Sequence, residues 1–437
     1  MSSYNTTTSR FFKNTDVIAN LGRGRFSDVL CYRSTDASAD FVAVKRFSLH
    51  QIDSREIRVL QEQTVLAIIS ANKCSLCPYA VRLLETLKDE SYLCLIMTAA
   101  LGGSLHKHIQ RCSEGGCLNV SIVRGYSAEL VSALLHLRKH QCIHRDIKAN
   151  NVLLDQRGHA VLCDFGSSKY LPPPGVLTSA LSVDVLGNVI VAHPDADKSF
   201  PAQRTYTITG TPHAMAPEMA AATGHSFPVD WWALGVLIHE MLTGSAPSWK
   251  LPATNSRPSS GGGAAGSDVA RIAQSTSCPL EPSVAARFSL AATAMERAKG
   301  REGRVAQSIN PENPVNGAEA ADACWDWRYT DGPNARCYKE GPLGRAAFDL
   351  VDSLLQVNPV RRAMGEEVLG HPFFTGVVWS DVHHGVSRSP WPDFDRRLGF
   401  MDLLETCDHC TASKGSVAGE QADDELTEEQ QALFAGF

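Results

Sequence analysis

Three oxygen-bearing side chains lie within one short stretch of the chain. Asp146 and Asn151 are five residues apart, and Asp164 follows after two short apolar runs. Two carboxylates and one amide suit Mg²⁺, a hard cation that prefers oxygen ligands and keeps part of its coordination sphere for water or phosphate. The three residue types therefore predict a magnesium site that serves a phosphate-bearing ligand.

The elements that must position these side chains form a hairpin. The apolar runs are Val152–Leu154 and residues 160–163, and the turn between them ends in Gly158. Glycine can adopt the positive φ that a tight return requires. Because a short hairpin brings the chain back beside itself, we expect the loops before and after it to face one cleft.

Other elements are predicted by periodicity. Residues 122–140 have helical spacing, with a stripe formed by Ile122, Tyr126, Leu130, Leu134 and Leu137. Residues 229–242 are apolar nearly all round, which is typical of a fully buried helix. Near the start of the chain, a glycine-rich turn at residues 22–24 lies between two predicted strands, where backbone N–H groups can approach phosphate oxygens.

Composition excludes several classes of function. The formal net charge of the 437 residues is −6, which gives no electrostatic support for binding nucleic acid or an anionic membrane. No apolar run is long enough to span a bilayer. The 13 cysteines lie mostly in apolar segments, and we find no signal peptide, so we expect reduced thiols and a cytoplasmic location.

Several motifs occur in the order and at the intervals of one family. Residues 144–151 read H-R-D-I-K-A-N-N, residues 164–166 read D-F-G, and residues 216–218 read A-P-E. Together they resemble the catalytic loop and the metal-binding and activation-segment motifs of eukaryotic protein kinases. The runs R-T-Y-T-I-T-G-T-P at residues 204–212 and V-D-W-W-A-L-G-V-L at residues 229–237 are similar to those of the AGC group, most closely the cAMP-dependent protein kinases.

The resemblance implies an α+β, two-lobed protein kinase fold. A small antiparallel sheet with one key helix would form the N-lobe, about residues 16–101, and a mainly helical C-lobe would span about 102–374. We expect a flexible segment at residues 1–15, insertions at about 171–203 and 247–342, and an AGC-type C-terminal tail at 375–437. ATP would bind between the lobes, and Ser or Thr hydroxyls of proteins would accept its γ-phosphoryl group.

Site residues follow from the matched motifs. Asp146 would orient the substrate hydroxyl and accept its proton, Lys148 would neutralise the transferred phosphoryl group, and Asn151 and Asp164 would hold Mg²⁺. Thr211 belongs to the G-T-P sequence that positions the peptide. The residues implied to bind ATP are Leu21, Gly22, Gly24, Phe26, Ser27, Val29, Ala43, Lys45, Glu62, Met97, Leu153 and Asp164, with Ser27 in place of the third glycine of the usual loop.

Lys45 needs a carboxylate partner from the helix predicted at residues 54–69. Glu62 fits best, because it begins an E-x-x-x-L sequence like that of the family, whereas Glu56 follows Lys45 too closely. The stripe expected to line one side of this helix is Ile57, Leu60, Thr64 and Ile68.

The resemblance also implies regulation. Thr207 matches an activating phosphothreonine, placed there by an upstream kinase or by autophosphorylation, and its cationic partners would be Arg145, Lys169 and Arg58. The ending Phe434-Ala-Gly-Phe437 resembles a hydrophobic motif that docks on the N-lobe beside the helix carrying Glu62. We expect Asp230 to hold the backbone of the catalytic loop, and Glu218 to pair with Arg362.

Substrate and partner choice do not carry over from the family. Ser104 and Asn150 occupy the positions where the cAMP-dependent kinase has acids that bind arginine upstream of its target. These replacements argue against a preference for basic peptides, and they weaken the case for a cyclic-nucleotide-binding regulatory subunit as partner.

Two alternatives keep the fold but change the function. A pseudokinase scaffold would bind partners through the insertions, but Lys45, Asp146 and Asp164 are all present. A small-molecule kinase is disfavoured by the G-T-P and A-P-E sequences. Two C-x-x-C pairs, Cys74/Cys77 and Cys407/Cys410, lie in an insertion and in the tail, so we expect no zinc site.

Overall fold

A computed structural model gives the architecture of the chain. It describes residues 15–23, 27–34, 41–48, 56–71, 77–88, 92–112, 117–172, 182–183, 189–190, 204–221, 224–247, 341–392 and 394. Among these residues, none of the helices is both long and apolar enough to cross a membrane.

The first part of the fold is an antiparallel sheet of five strands in the order β1-β2-β3-β5-β4. Alternation of side chains across the sheet places every second residue of a strand on the same face. The strands are β1 (Thr15–Arg23), β2 (Ser27–Ser34), β3 (Phe41–Ser48), β4 (Leu83–Lys88) and β5 (Tyr92–Thr98).

Helix α1 (Glu56–Ser70) follows β3, as predicted, but its buried side differs from the predicted stripe. Leu60, Thr64 and Ile68 are only half-buried. The side packed into the protein carries Val59, Glu62, Gln63, Val65, Leu66 and Ile69. The helix has apolar residues on both sides, so periodicity alone could not identify its buried side. The buried side is the one that carries Glu62, which contacts Lys45.

The second part of the fold is mainly helical. Its longest helix, α3, has a broad buried side that includes four of the five predicted stripe residues, while Ile122 is half-buried. The helices of this part are α2 (Leu105–Arg111), α3 (Val120–Lys139), α4 (Pro217–Ala220), α5 (Pro228–Thr243), α6 (Gly341–Leu354), α7 (Glu366–Leu369) and α8 (Trp379–His384).

Helix α5 is buried nearly all round, which confirms the prediction from its composition. Helix α6 lies against it, and a Cβ added to Gly235 would come within 2.9 Å of the Leu354 Cβ, so glycine allows the two helices to approach closely. Helix α6 begins at Gly341, just before the end of the predicted 247–342 insertion.

Short strands connect the helices to the catalytic loop. Strand β6 (Cys142–Ile143) pairs with β9 (Lys169–Tyr170), and β7 (Val152–Leu154) pairs with β8 (Ala160–Leu162). The predicted hairpin is confirmed, with Gly158 at φ +81°. Leu171 is buried and donates its N–H to the Gln141 carbonyl, so it belongs to the core rather than to the 171–203 insertion. Within that insertion, β10 (Ser182–Val183) pairs with β11 (Val189–Ile190).

A buried ion pair holds the end of the activation segment, which runs from the D-F-G motif to the A-P-E motif (residues 164–218). The Arg362 guanidinium binds both oxygens of Glu218 at 2.6 and 3.0 Å, as the sequence predicted. Arg362 also donates to the carbonyls of Pro228 and Gln356, so its planar fork joins three segments of the chain.

The chain continues past residue 374 and packs back on the helical part. In helix α8, His383 Nδ1 lies 2.8 Å from the Ser132 hydroxyl of α3. Farther along, Pro390 and Phe394 approach three glycines so closely that an added Cβ would meet them at 2.5–2.9 Å; these glycines are Gly102, Gly125 and Gly158.

Candidate active site

Asp146 is the centre of a compact hydrogen-bond network. Its Oδ2 accepts from Lys148 Nζ and from Asn151 Nδ2, each at 2.9 Å, and its Oδ1 accepts from the Thr211 hydroxyl at 2.6 Å. Lys148 Nζ also donates to the Thr211 Oγ1 at 2.6 Å. The structure therefore brings together all four residues that the sequence assigned to catalysis. The arrangement fixes a carboxylate beside a cation.

Asp230, at the start of α5, binds the backbone of this loop. Its buried carboxylate accepts the N–H groups of His144 and Arg145 at 2.7 and 2.8 Å, which confirms the predicted role. Arg145 has φ +67°, a left-handed conformation that costs a non-glycine residue about 1–2 kcal/mol. The hydrogen bonds that Asp230 accepts hold the loop in this strained conformation, and so position Asp146.

Lys45, Glu62 and Asp164 form a second charged cluster. The Lys45 ammonium contacts both oxygens of Glu62 at 2.7 and 2.9 Å, and Asp164 Oδ1 at 3.0 Å. Glu62 is thus the partner of Lys45, as predicted. Burial alone would lower the pKa of Lys45, but the two carboxylates outweigh it and raise the pKa above its usual value. The ammonium therefore stays charged and ties β3 to α1 and to the D-F-G segment.

The Asp164 carboxylate is held by Lys45 but remains accessible to solvent. The residue has φ +58°, and half of its side chain is exposed although Oδ1 binds Lys45. Burial would raise the pKa of the Asp164 carboxyl, but Lys45 outweighs this effect and lowers it below the ordinary value. A Cβ on Gly166 would lie 3.3 Å from Asp164 Oδ1, so this glycine leaves room for the carboxylate.

The donor set fits a divalent cation. Asn151 donates through Nδ2 to the carbonyl and the carboxylate of Asp146, which fixes the amide and leaves Oδ1 as its ligand atom. An ionised, half-exposed carboxylate and a fixed amide oxygen are ligands that Mg²⁺ accepts, with the remaining positions open to phosphate and water. Asn151 and Asp164 are the residues that would hold the ion.

Strand register places the predicted nucleotide-binding residues on one face of the sheet. Val29 lies directly opposite Lys45, and Ala43 lies opposite Met97, while Ala43 and Lys45 are two residues apart on β3. Gly22 pairs with Val29. The face that carries Lys45 is therefore also the apolar face on which we expect the adenine ring to pack.

The other predicted ATP-binding residues lie around this face. Ser27 begins β2, and Leu21 packs against a small cluster that includes Leu101, at the predicted boundary between the two lobes. Leu153 of β7 forms an isolated β-bridge with Ser104, just after this boundary. Gly24 and Phe26 lie outside the described residues.

The predicted regulatory residues are only partly brought together. Thr207 is exposed, whereas Lys169 Nζ donates to the hydroxyl of Thr205 at 3.1 Å. Arg145 Nε donates to the Ser167 carbonyl at 2.6 Å. Arg58 lies in α1, but its side chain is outside the described residues, as are Phe434 and Phe437. Of the four cysteines in the two C-x-x-C pairs, only Cys77 is described, so the absence of zinc stays a prediction.

Sequence reasoning missed several residues that support the site. The His144 ring packs edge-on against Phe165, with centroids 4.8 Å apart, and its Nε2 lies 3.0 Å from the Cys163 carbonyl. Both residues are within recognised motifs, so their proximity could have been inferred. Thr205 and His225 were also missed, and no sequence signal marked their pairing.

The comparisons agree with this geometry. Residues 15–374 match the protein kinase domain family, and the chain belongs to that family. Three relatives are each 33–34% identical over 53% of this chain. They are the human cAMP-dependent protein kinase catalytic subunit PRKX and the serine/threonine-protein kinases YPK1 of Saccharomyces cerevisiae and gad8 of Schizosaccharomyces pombe. These similarities are consistent with the AGC group.

The match covers only part of each of these relatives. The aligned region spans 54% of PRKX, 29% of YPK1 and 35% of gad8. The two-lobed kinase fold follows from the family match over residues 15–374, and the family in general binds ATP and a divalent metal.

Proposed function

We propose that the protein is a serine/threonine protein kinase that transfers the γ-phosphoryl group of ATP to hydroxyls of proteins. The observation that carries this proposal is the network around Asp146, in which Lys148 and Thr211 lie within 2.6–2.9 Å of its carboxylate. A carboxylate held beside a fixed cation can accept a hydroxyl proton while the cation faces the phosphoryl group. The names of the relatives support the choice of serine and threonine as acceptors.

Some residues of the site position the substrates, and others stabilise negative charge on the phosphates. Asp146 orients the acceptor hydroxyl and takes its proton, and Lys148 stabilises the negative charge on the transferred group. Lys45 binds the α- and β-phosphates, since Glu62 fixes its position. Asn151 and Asp164 would hold Mg²⁺, which would neutralise charge on the phosphate oxygens.

Regulation belongs to the activation segment. We propose that phosphorylation of the exposed Thr207, by an upstream kinase or by the protein itself, orders this segment against Arg145 and Lys169. The contact between Lys169 and Thr205, two residues before Thr207, supports the proposal because it places a cation at the segment. A phosphate opposite such cations gains charge-assisted hydrogen bonds.

Acceptor choice is proposed to differ from that of the cAMP-dependent kinase. The Ser104 hydroxyl accepts the Lys107 N–H at the start of α2, and Asn150 is an exposed, neutral residue of the catalytic loop. Neither supplies the negative charge that would bind an upstream arginine. We therefore expect no strong preference for basic peptides, and we do not assign a cyclic-nucleotide-binding subunit as partner.

A reducing location is consistent with the cysteines. None of the seven cysteines that the structure describes is in a disulfide bond, and burial raises the pKa of Cys31 and of Cys142 to about 12, which keeps both protonated and unreactive. We propose a cytoplasmic location on this basis.

The test is phosphorylation of a degenerate peptide library containing Ser, Thr and Tyr acceptors, with Mg²⁺ and ATP. We expect the wild-type protein to modify Ser and Thr, Asp164→Ala to be inactive, and Thr207→Ala to be weakened. The basic positions of the library report on Ser104 and Asn150. A pure, Thr207-phosphorylated wild-type protein that binds no ATP and modifies no peptide would overturn the proposal in favour of a scaffold.

A further inference from the structure

His225 is a buried imidazole without a hydrogen-bond partner for its ring. The residue is 2% exposed, and neither Nδ1 nor Nε2 is paired within the described part of the chain. Its backbone exchanges two hydrogen bonds with Thr205, at 2.8 and 2.9 Å. Buried polar groups in native proteins are nearly always paired, so an unpaired ring of this kind is a candidate for binding a ligand.

The surroundings of His225 are cationic. Through Thr205 it lies beside Lys169, whose Nζ contacts the Thr205 hydroxyl at 3.1 Å. Burial, then Arg145 and Lys169, lower the pKa of His225 to about 3, so the charged groups that act on the ring are both positive. Burial and Arg145 also lower the pKa of Lys169. The imidazole is therefore neutral and can donate one N–H to an anion.

We propose that His225, together with Arg145 and Lys169, binds a phosphate monoester carried by Thr207, to which the His225 ring donates a hydrogen bond. The inference rests on the proposed regulation at Thr207 and adds a residue that the sequence motifs do not assign. An anion here would pair the unpaired ring and offset the two cations at once.

Thr207 is the source of phosphate that the geometry favours. Thr205 already touches Lys169, but it is 2% exposed and cannot enter the active site of a kinase while folded. Thr207 is exposed, and two residues of chain span at most about 7 Å, so its phosphate can reach the groups around Thr205.

The proposal predicts opposite effects of one substitution in two states of the protein. Without phosphate, His225→Leu removes an unpaired polar group, so the unphosphorylated variant should be at least as stable as wild type. With phosphothreonine at position 207, the variant should lose a phosphate ligand. His225→Gln keeps an N–H donor and should retain most of the response.

The experiment measures the melting temperature of the full chain, with threonine or genetically encoded phosphothreonine at position 207. We expect phosphorylation to raise the melting temperature of wild type by several degrees, and that of His225→Leu by less than half as much. His140→Leu is the matched control, since it removes another imidazole with an unpaired buried Nε2 and a pKa lowered by burial and Lys139, and it should respond like wild type.

Inorganic phosphate, titrated at constant ionic strength, separates the sources of the anion. It should stabilise the unphosphorylated wild type and have little effect once Thr207 carries its own phosphate. Equal stabilisation of both forms would contradict Thr207 as the source. If phosphorylation stabilises wild type and His225→Leu equally, the role of His225 is wrong. If phosphorylation does not stabilise wild type at all, the proposed regulation by Thr207 itself fails.

Discussion

At the scale of single residues, the charged side chains of the site are held in place by hydrogen bonds to backbone N–H groups and by ion pairs. Asp230 binds two backbone N–H groups, and through them sets the position of Asp146. Lys45 is fixed by Glu62 and keeps Asp164 ionised. In both clusters a buried carboxylate, Asp230 or Glu62, positions the site, and a less buried one, Asp146 or Asp164, is accessible to substrate or metal.

Glu62→Gln should weaken catalysis more than folding. The amide cannot balance the charge of Lys45, which would then move toward Asp164 and away from the position needed for phosphate. We expect kcat/KM for ATP to fall by about tenfold or more, the equivalent of at least 1.4 kcal/mol of lost positioning. Steady-state kinetics measures this effect, with Glu56→Gln as a control that should match wild type. Equal activity of the Glu62 variant and wild type would refute the pairing.

His225 predicts a pH dependence of stability in the unphosphorylated protein. A histidine whose pKa falls from 6.5 to about 3 on folding binds its proton in the unfolded state first, so stability is lost as pH decreases from about 6.5 toward 3. At pH 5.5 the loss is about 1.4 kcal/mol relative to pH 7.5. Urea unfolding at the two pH values should show a smaller loss for His225→Leu than for wild type. Identical losses would mean that His225 is not held neutral.

At the scale of elements, packing decides what local pattern leaves open. The β7–β8 hairpin was predicted because its apolar runs and Gly158 are local signals, and α5 because its composition is apolar throughout. The contact of Glu62 with Lys45, 17 residues earlier, was predicted from the motif, but the apolar stripe of α1 did not identify the buried side, because apolar residues lie on both sides of this helix. The pairing of Thr205 with His225 also crosses the segment between them, and no periodicity records it.

Gly125 gives a prediction about α3 and the segment that follows α8. Glycine to alanine within a helix usually gains about 1 kcal/mol. Here the new Cβ would lie 2.5 Å from the Pro390 Cβ, and overpacking of this kind costs about 1–3 kcal/mol. We therefore expect Gly125→Ala to destabilise the protein by about 1 kcal/mol in urea unfolding.

A double-mutant cycle with Pro390→Gly provides the control. Because Pro390→Gly removes the atom that clashes, Gly125→Ala should become neutral or stabilising in that background. Stabilisation by Gly125→Ala in the wild-type background would show that residues near 390 do not pack against α3.

At the scale of the whole molecule, the function requires two parts of the chain to meet. Lys45 comes from the sheet, and Asp146 and Asn151 come from the helical part. Asp164 contacts Lys45 and directly follows Cys163, whose N–H donates to the Asn151 carbonyl at 2.9 Å. The order of the motifs was enough to predict this two-lobed arrangement. The insertions, in contrast, match no pattern of the family, so no role could be assigned to them from their residues.

The role of Asp146 as the catalytic base is tested most directly by single-turnover phosphoryl transfer from bound ATP to a Ser/Thr peptide, with nucleotide binding measured in parallel. Asp146→Asn should bind Mg²⁺-ATP like wild type, because Asp146 is not one of the two proposed Mg²⁺ ligands and asparagine keeps an oxygen that can accept from Asn151. Transfer should be slower by about 10²-fold or more, as expected for loss of a general base. A transfer rate equal to that of wild type would show that Asp146 has no part in the reaction, and the proposed phosphoryl transfer at this site would be wrong.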